Sequence, residues 1–574
     1  MRFGALVMAA LLAAGAAPAQ TLQQAREQVA ARQYGQALPI YEALLRAQPA
    51  DTGLLIETAR VYAFADRHEE AIATYRRVIE ADPGRAKDVT AALAWQTLWS
   101  GDAAAALPLF AQARGFSAES KQQAELWRGS GEACVHTGDN ACALDAYRRA
   151  LVLTPGDREL RRRIATVLGW LDEYAQAEAA WRELLAEDPT DKRAQAGLAR
   201  TINAAGRHNE AVRLYRQIDD GSDADLRLDH ARAVRWAGYD AAAFPLLDAR
   251  TDWPGVFLRD WRADREQRSY VWGGADYATD ADDLDIYTLA AGAGTLLKPG
   301  LLLEGGYRFA RLTSPQGGVS ANRVQATLRG PIGTPGETPP GLLLPSLTLA
   351  WNDYDGWTPV TGYAGLRWLP QDLWRLSADV GREVVETPQA IGNRITVDVA
   401  ALGVEYRLPP RWTVGGTLSG LNFSDGNNRL RVYGHVDYAA RLNPKVIIGL
   451  EGAAFTDSDP ASFEAVRPPG TLAPAGYWNP KNYAEGRVFA GIWHERDDWD
   501  AYARVALGLS REKDGDGKRS TGHPNLLEAG IAHDVGPSLR WRLYAGGSGS
   551  SFAAGNGGTG YWRRYAGFML TAWF

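Results

Sequence analysis

The sequence predicts two folds in series: an α-helical solenoid, then an antiparallel transmembrane β-barrel of about 16 strands. Three observations carry this. The first half repeats a small residue, an aromatic and a proline at a spacing of 34. The second half alternates apolar with polar residues over long segments. Glycine usage shifts between them: of 61 glycines, only 17 lie in residues 1–264. Tryptophan shifts the same way, with 14 of 20 beyond residue 250.

Composition narrows the classes. A length of 574 residues corresponds to about three or four domain-sized units. With 46% apolar and 23% charged residues, the chain is neither disordered nor fibrous. A net charge of −6 argues against nucleic acid held by bulk positive charge. Two cysteines exclude a disulfide-dense scaffold or a multi-cysteine metal protein. Beyond residue 20 no stretch is long and apolar enough for a membrane helix.

The N-terminus reads as a secretory signal. Arg2 precedes an apolar stretch from Ala5 to Ala17, and Ala17-Pro18-Ala19 forms the small-residue site. Cleavage is expected after Ala19. The organisation is therefore a signal peptide at 1–19, an array at 20–250, a linker at 251–266 and a barrel at 267–574.

In the array, Ala37, Ala71, Ala143, Ala177 and Ala211 each stand four residues before an aromatic: Tyr41, Tyr75, Tyr147, Trp181 and Tyr215. Ala106 and Phe110 fit with a slip of one. Pro49 and Pro83, and again Pro155 and Pro189, lie 34 apart. A small residue lets two helices approach. The aromatic one turn later fills the gap between hairpins, and proline ends the helix. This pattern resembles the tetratricopeptide repeat, with about seven units. Such arrays present a concave surface for a peptide or partner domain.

Cys134 and Cys142 flank the Gly138-Asp139 turn of one hairpin. A structural disulfide is the favoured reading, and two buried free thiols are the alternative. A metal site with His136 lacks ligands.

Beyond residue 267 the alternation predicts strands at about 267–278, 284–296, 301–312, 321–330, 343–353, 359–369, 373–385, 394–407, 411–423, 429–442, 445–455, 482–495, 499–511, 525–535, 539–551 and 561–574. Ala400 to Gly403 breaks phase and is read as a bulge. Short turns at 298–300, 370–371, 409–410, 443–444, 497–498 and 536–537 alternate with longer loops, notably 456–480 and 512–524. Pro331 to Gly341 is longer than that rule expects. Short turns on one side and long loops on the other are the outer-membrane pattern. An even strand count puts both ends of the barrel on one side. A closed sheet satisfies its backbone in lipid without any helix. Phe568, Leu570, Ala572 and Phe574 alternate at the C-terminus, as in outer-membrane assembly signals.

With the apolar positions facing lipid, the opposite face lists the lumen. It comprises Glu304 and Arg308, then Arg375, Asp379 and Glu383, then Arg431, Tyr433, His435 and Asp437. Glu485 and Arg487 follow, then Arg540, Arg542 and Tyr544, and finally Tyr565 and Trp573. Aromatic faces stack on sugars and charged groups bind hydroxyls, so this interior suits a polysaccharide path. The plain reading is a polar wall whose charges pair with one another. No nucleophile motif accompanies His435 and Asp437, so no catalytic residue is assigned. Asp514-Gly515-Asp516-Gly517 lacks the rest of a calcium loop, so no metal is assigned. Tyr477 to Tyr483 is a dense aromatic segment, read as an interfacial belt and turn.

The order of signal, tetratricopeptide array and C-terminal barrel resembles bacterial exopolysaccharide export proteins. These are the poly-β-1,6-N-acetylglucosamine export porins and the outer-membrane subunits of cellulose synthase. The resemblance rests on the repeat motif, the Tyr477–Tyr483 segment and the terminal Phe574. It implies a barrel in outer-membrane lipid that passes exopolysaccharide. The repeats would sit in the periplasm and dock a polysaccharide-modifying enzyme or the synthase complex. It implies no cofactor and no nucleic acid. The array is shorter than in the large cellulose exporters, and the lumen is mixed in charge rather than acidic. A surface receptor or adhesion protein, of the phage-adsorption kind, is the second reading and places function in loops 456–480 and 512–524. A scaffold or an enzyme using His435 is the third.

Overall fold

The computed structural model describes residues 21–247, 265 and 268–574, apart from 316, 338–340, 409–410, 443, 461–475, 497, 550–556 and 559. The predicted signal peptide, all of the linker but Arg265, and the centre of loop 456–480 lie outside the described residues. These residues divide into two compact units, one running to Thr201 and the other from Ile202.

Helices α1 (21–30) and α2 (Tyr34–Ala47) form the first hairpin. The next are α3 (Thr52–Phe64) with α4 (His68–Ala81), α5 (Ala86–Trp99) with α6 (Ala103–Phe116), and α7 (Ser120–His136) with α8 (Asn140–Leu153). Then come α9 (Arg158–Trp170) with α10 (Tyr174–Glu187), α11 (Lys192–Ala204) with α12 (His208–Ile218), and α13 (Ala224–Trp236) with α14 (Asp240–Leu247). That makes seven pairs among the described residues.

The repeat logic holds in the packing of the first unit. Ala37, Ala71, Ala106, Ala143 and Ala177 are fully buried, and their aromatic partners are at most 4% exposed. Several rings need a small residue on a neighbouring helix. A Cβ on Gly131 would stand 2.4 Å from Tyr147, one on Gly129 would stand 2.4 Å from Phe110, and one on Gly197 would stand 2.5 Å from Trp181. Those glycines accept the helix-propensity cost to let the rings in. Asp51, Asp102, Asp139 and Asp157 cap α3, α6, α8 and α9 by accepting first-turn N–H groups. Cys134 and Cys142 form a disulfide across the α7–α8 turn, with their Cα atoms 5.8 Å apart.

In the second unit the strands are β1 (Tyr270–Asp280), β2 (Asp285–Lys298), β3 (Leu301–Ser314), β4 (Gly317–Arg329), β5 (Leu342–Tyr354), β6 (Val360–Gln371), β7 (Trp374–Val384) and β8 (Thr396–Leu408). They continue as β9 (Trp412–Phe423), β10 (Asn428–Leu442), β11 (Lys445–Asp457), β12 (Asn482–Glu495) and β13 (Trp499–Lys513). β14 comes in two pieces, Arg519–Gly522 and Leu526–Asp534, both paired with β13. β15 (Leu539–Ser548) and β16 (Arg563–Trp573) complete the wall. A short helix, α15 (Pro388–Gly392), lies between β7 and β8.

Every neighbouring pair is antiparallel, and β16 pairs back onto β1 from Tyr270↔Trp573 to Asp280↔Arg563. The result is a closed 16-strand barrel. Its outer face is apolar: Leu402, Leu509 and Leu527 are 65–67% exposed. An aqueous surface would not carry such a band, whereas lipid solvates it.

Two expectations need correction. The register of β8 runs unbroken against β7 and β9 through Ala400 to Gly403, so there is no bulge. The phase break arises because inward Val397 and Val399 pack in a lumenal apolar cluster with Ala390 of α15 and Tyr477. Segment 512–524 is not an open loop: β13 and the first piece of β14 extend the wall as a hairpin arm. Within it the Asp514 carboxylate accepts the Lys518 N–H and shapes the turn.

Candidate functional site in the barrel interior

Strand periodicity turns every second side chain inward, so neighbouring strands build a continuous polar wall. Its centre is Glu451 on β11. Glu451 forms an ion pair with Arg487 of β12 at 2.9 Å and accepts from Arg504 of β13 at 2.7 Å and from the Tyr433 hydroxyl of β10 at 3.2 Å. The wall continues on β14 and β16, where Glu528 accepts the Tyr565 hydroxyl at 3.1 Å. Glu485 accepts the Tyr483 hydroxyl at 2.6 Å. Arg431 donates to Ser419 at 3.1 Å, and His435 Nδ1 stands 3.0 Å from Asp437. Arg375 faces Glu405 at 3.5 Å, and Arg542 lies over the Tyr544 ring at 5.6 Å. Asp379 and Glu383 share the Arg375 face of β7, and Glu304 accepts the Tyr270 hydroxyl. These side chains share the inward parity of their strands, as do Arg308, Arg540 and Trp573.

Both signs occur on single strands and largely pair. Such a wall has little net field, yet it presents hydroxyls, guanidinium edges and rings. It can trade hydrogen bonds with a polyol chain.

Two ends of the barrel are built differently. At the end bearing the long loops, α15 projects inward from between β7 and β8. Its Ile391 packs among inward Ala310, Leu312 and Ala321 and the ring of Tyr354. Thr387 donates to the Gly476 carbonyl at 2.5 Å. Tyr477 stacks on Phe423, with ring centroids 4.3 Å apart. Trp478 donates to Glu512 at 2.7 Å, and Arg429 and Asp457 form a fully buried ion pair at 2.9 Å. Arg308 grips Glu386 with two 2.7 Å bonds, and Tyr354 adds a third at 3.0 Å. Burial alone would raise the Glu386 carboxyl. Arg308 and Tyr354 outweigh it and hold the group below the ordinary carboxylate range. Tyr477, Trp478 and Tyr483 are thus at most 5% exposed inside the barrel, and the belt expectation is wrong. Aromatic density alone does not tell an inward strap from an interfacial belt.

At the end bearing the termini, the last helices of the second unit pack on the strand turns. The Asp372 carboxylate, in the β6–β7 turn, accepts the Asn209 N–H at 2.9 Å, its side-chain amide at 2.8 Å and the Glu210 N–H at 3.3 Å. A barrel turn thereby caps α12. Gly336 donates to Asn209 at 2.9 Å and accepts Arg213 at 3.1 Å, which explains the long turn from Pro331 to Gly341. Burial lowers His208 from its ordinary 6.5. Asp372 opposes this, while Arg407 and Arg375 add to it. Trp236, at the end of α13, lines a cavity of about 480 Å³ with Arg375, Tyr433 and His435. Arg265 lies 4.1 Å over Trp573 and pairs with Asp534, which also binds Arg540 at 3.0 Å.

Glu451, Arg504, Glu528, Asp534 and Glu386 were missed. The first four were within reach of the alternation, since each is a charge at an inward-parity position of its strand. Glu386 was not, because its role depends on a loop folding back across four strands.

The tetratricopeptide repeat family model matches residues 22–86, 87–158 and 164–225. No curated protein matches the chain significantly. Among solved structures, the chain is similar to a bacterial polysaccharide outer membrane secretin at 14% identity and a TM-score of 0.41, over 54% of this chain and 99% of that one. It is also similar to a tetratricopeptide repeat protein from Parabacteroides merdae at 16% identity and a TM-score of 0.35, over 38% and 86%. MamA from Desulfovibrio magneticus aligns at 14% identity and a TM-score of 0.28, over 30% and 97%. The helical half of this chain is an array of tetratricopeptide repeats, and it leads into a closed 16-strand antiparallel barrel.

Proposed function

We propose that the chain is an outer-membrane channel that exports an exopolysaccharide. In this reading the repeats stand in the periplasm and dock the machinery that makes or modifies the polymer. The observation that carries it is the cavity shared by Trp236 of the last hairpin and by Arg375, Tyr433 and His435 of the barrel wall. One space there is lined by a repeat and by the lumen. The inner wall of paired charges and rings supports a neutral or weakly charged polyol, because no single sign dominates it. The apolar outer face supports residence in lipid. The reading gives the chain no catalytic step and no cofactor.

The test is a strain lacking the gene, with polymer measured outside the cell and in the periplasm. Loss outside and accumulation inside, restored by the full chain, are expected. Unchanged secretion would end the export reading. It would turn attention to the surface loops and a receptor role.

A further inference from the structure

The first helix of each hairpin from α3 onward closes at one repeat position. Phe64, Trp99, His136, Trp170, Ala204 and Trp236 end α3, α5, α7, α9, α11 and α13. Five of these six are aromatic rings. Packing does not account for those of α3 to α11, since Tyr75, Phe110, Tyr147, Trp181 and Tyr215, one helix on, are already the buried rings, at most 4% exposed. By contrast Phe64, Trp99 and Trp170 are 57%, 55% and 52% exposed.

In the first unit Phe64 and Trp99 have aromatic companions from the preceding hairpin. Tyr34, opening α2, lies 5.8 Å from Phe64. His68, opening α4, lies 6.3 Å from Trp99, and Trp95 lies 5.4 Å from it. The Arg128 guanidinium stands 5.5 Å over Trp95. The second unit repeats the motif: His208, opening α12, lies 5.8 Å from Trp236. There the ring at this position lines the barrel cavity beside Tyr433 and His435.

We infer that Phe64, Trp99 and Trp170 form a stacking track for a glycan chain on the first unit. This rests on the export reading. A pyranose ring offers an apolar patch of axial C–H groups on each face and hydroxyls around its edge. An exposed indole or phenyl buries the patch, and flanking imidazole and guanidinium groups bind the edge. Rings set singly at each repeat, with polar surface between, match a polymer of repeating units better than one contiguous apolar pocket would. The equivalent position facing the conduit is again a tryptophan.

The test uses the full chain in detergent micelles. The probes are cellohexaose, chitohexaose and fragments of the polymer shed by producing cells, read by calorimetric titration and tryptophan fluorescence. Replacing Phe64→Ala, Trp99→Ala and Trp170→Ala together should weaken binding about tenfold or more, as loss of aromatic anchors does. The helical melt should stay unchanged, since the three rings are exposed. His136→Trp, at an exposed member of the series, should tighten binding. Equal binding by the triple variant, or no binding of any probe to the intact chain, would overturn the track. If the triple variant instead loses a co-purifying periplasmic protein and binds sugar as before, the surface docks protein and the inference fails. A strain without the chain that still secretes polymer would sink the export reading, whatever the titrations give. A secretion-defective deletion strain whose triple variant binds normally would sink the track alone.

Discussion

The two halves of this chain solve the burial problem in opposite directions. The repeats hide the rings wedged between their helices: Tyr147 and Phe110 are at most 1% exposed, and charges stay outside. The barrel shows its leucines and hides its charges. Arg429, Asp457, Glu451 and Asp534 are at most 7% exposed, while Leu507 is 59% exposed. The same physical rule produces both, because what counts as outside is water for one half and hydrocarbon for the other. Helical hydrogen bonds are local, so an array needs no closure. A sheet in lipid has no such freedom, which is why β16 must return to β1.

The comparison can be broken first at its strongest contact. Phe110→Ala removes the ring between Gly129 and Trp95 and should cost about 3–5 kcal/mol. The helical melt should fall while the heat-modifiable gel shift of the barrel stays. If both move together, the halves do not fold independently. Leu507→Arg, midway along the outer face of β13, should cost the barrel about 2–4 kcal/mol in lipid. Its refolding midpoint in vesicles should drop, and the helical melt should not.

Reducing Cys134–Cys142 removes a short loop constraint worth about 2–3 kcal/mol. Calorimetry with and without reductant should show the helical transition move and the barrel transition hold. Asp157→Ala deletes the α9 cap and should lower the helical transition by about 1 kcal/mol.

The smallest effect expected is on the α12 contact with the β6–β7 turn. His208 has a folded value below its ordinary 6.5. The contact is therefore at full strength above pH 6.5 and weakens as pH falls through that value towards the folded one. Relative to its intrinsic rate, amide exchange in α12 should quicken from about pH 7.5 to about 5.5, and His208→Gln should flatten the difference. Acceleration that persists in the variant would assign the effect to another group.

Much of this was legible in the chain itself. Ala143 and Tyr147, one turn apart and recurring at 34, foretold both burial and partner. Inward parity placed Arg487 and Tyr433 on the wall without any knowledge of neighbours. What parity does not reveal is pairing across strands, so Glu451 stayed hidden as the hub of three contacts. Nor does it reveal loops that fold inward. Tyr477 looked like a belt residue because a ring in lipid headgroups and a ring stacked on Phe423 carry the same local signature. The misread phase at Ala400 to Gly403 has the same origin: α15 and inward Val397 and Val399 make part of the lumen apolar, so one strand is greasy on both faces.

Closure of the wall has a topological consequence. The β1–β16 seam is hydrogen-bonded along its whole length, eleven residue pairs from Tyr270 to Asp280, so no gap admits a chain from the side. On the export reading, a polymer can enter only end first, as thread enters a needle. A linear chain can be fed while its other end is still growing. A densely branched one would jam, and a finished one would first have to present a free end.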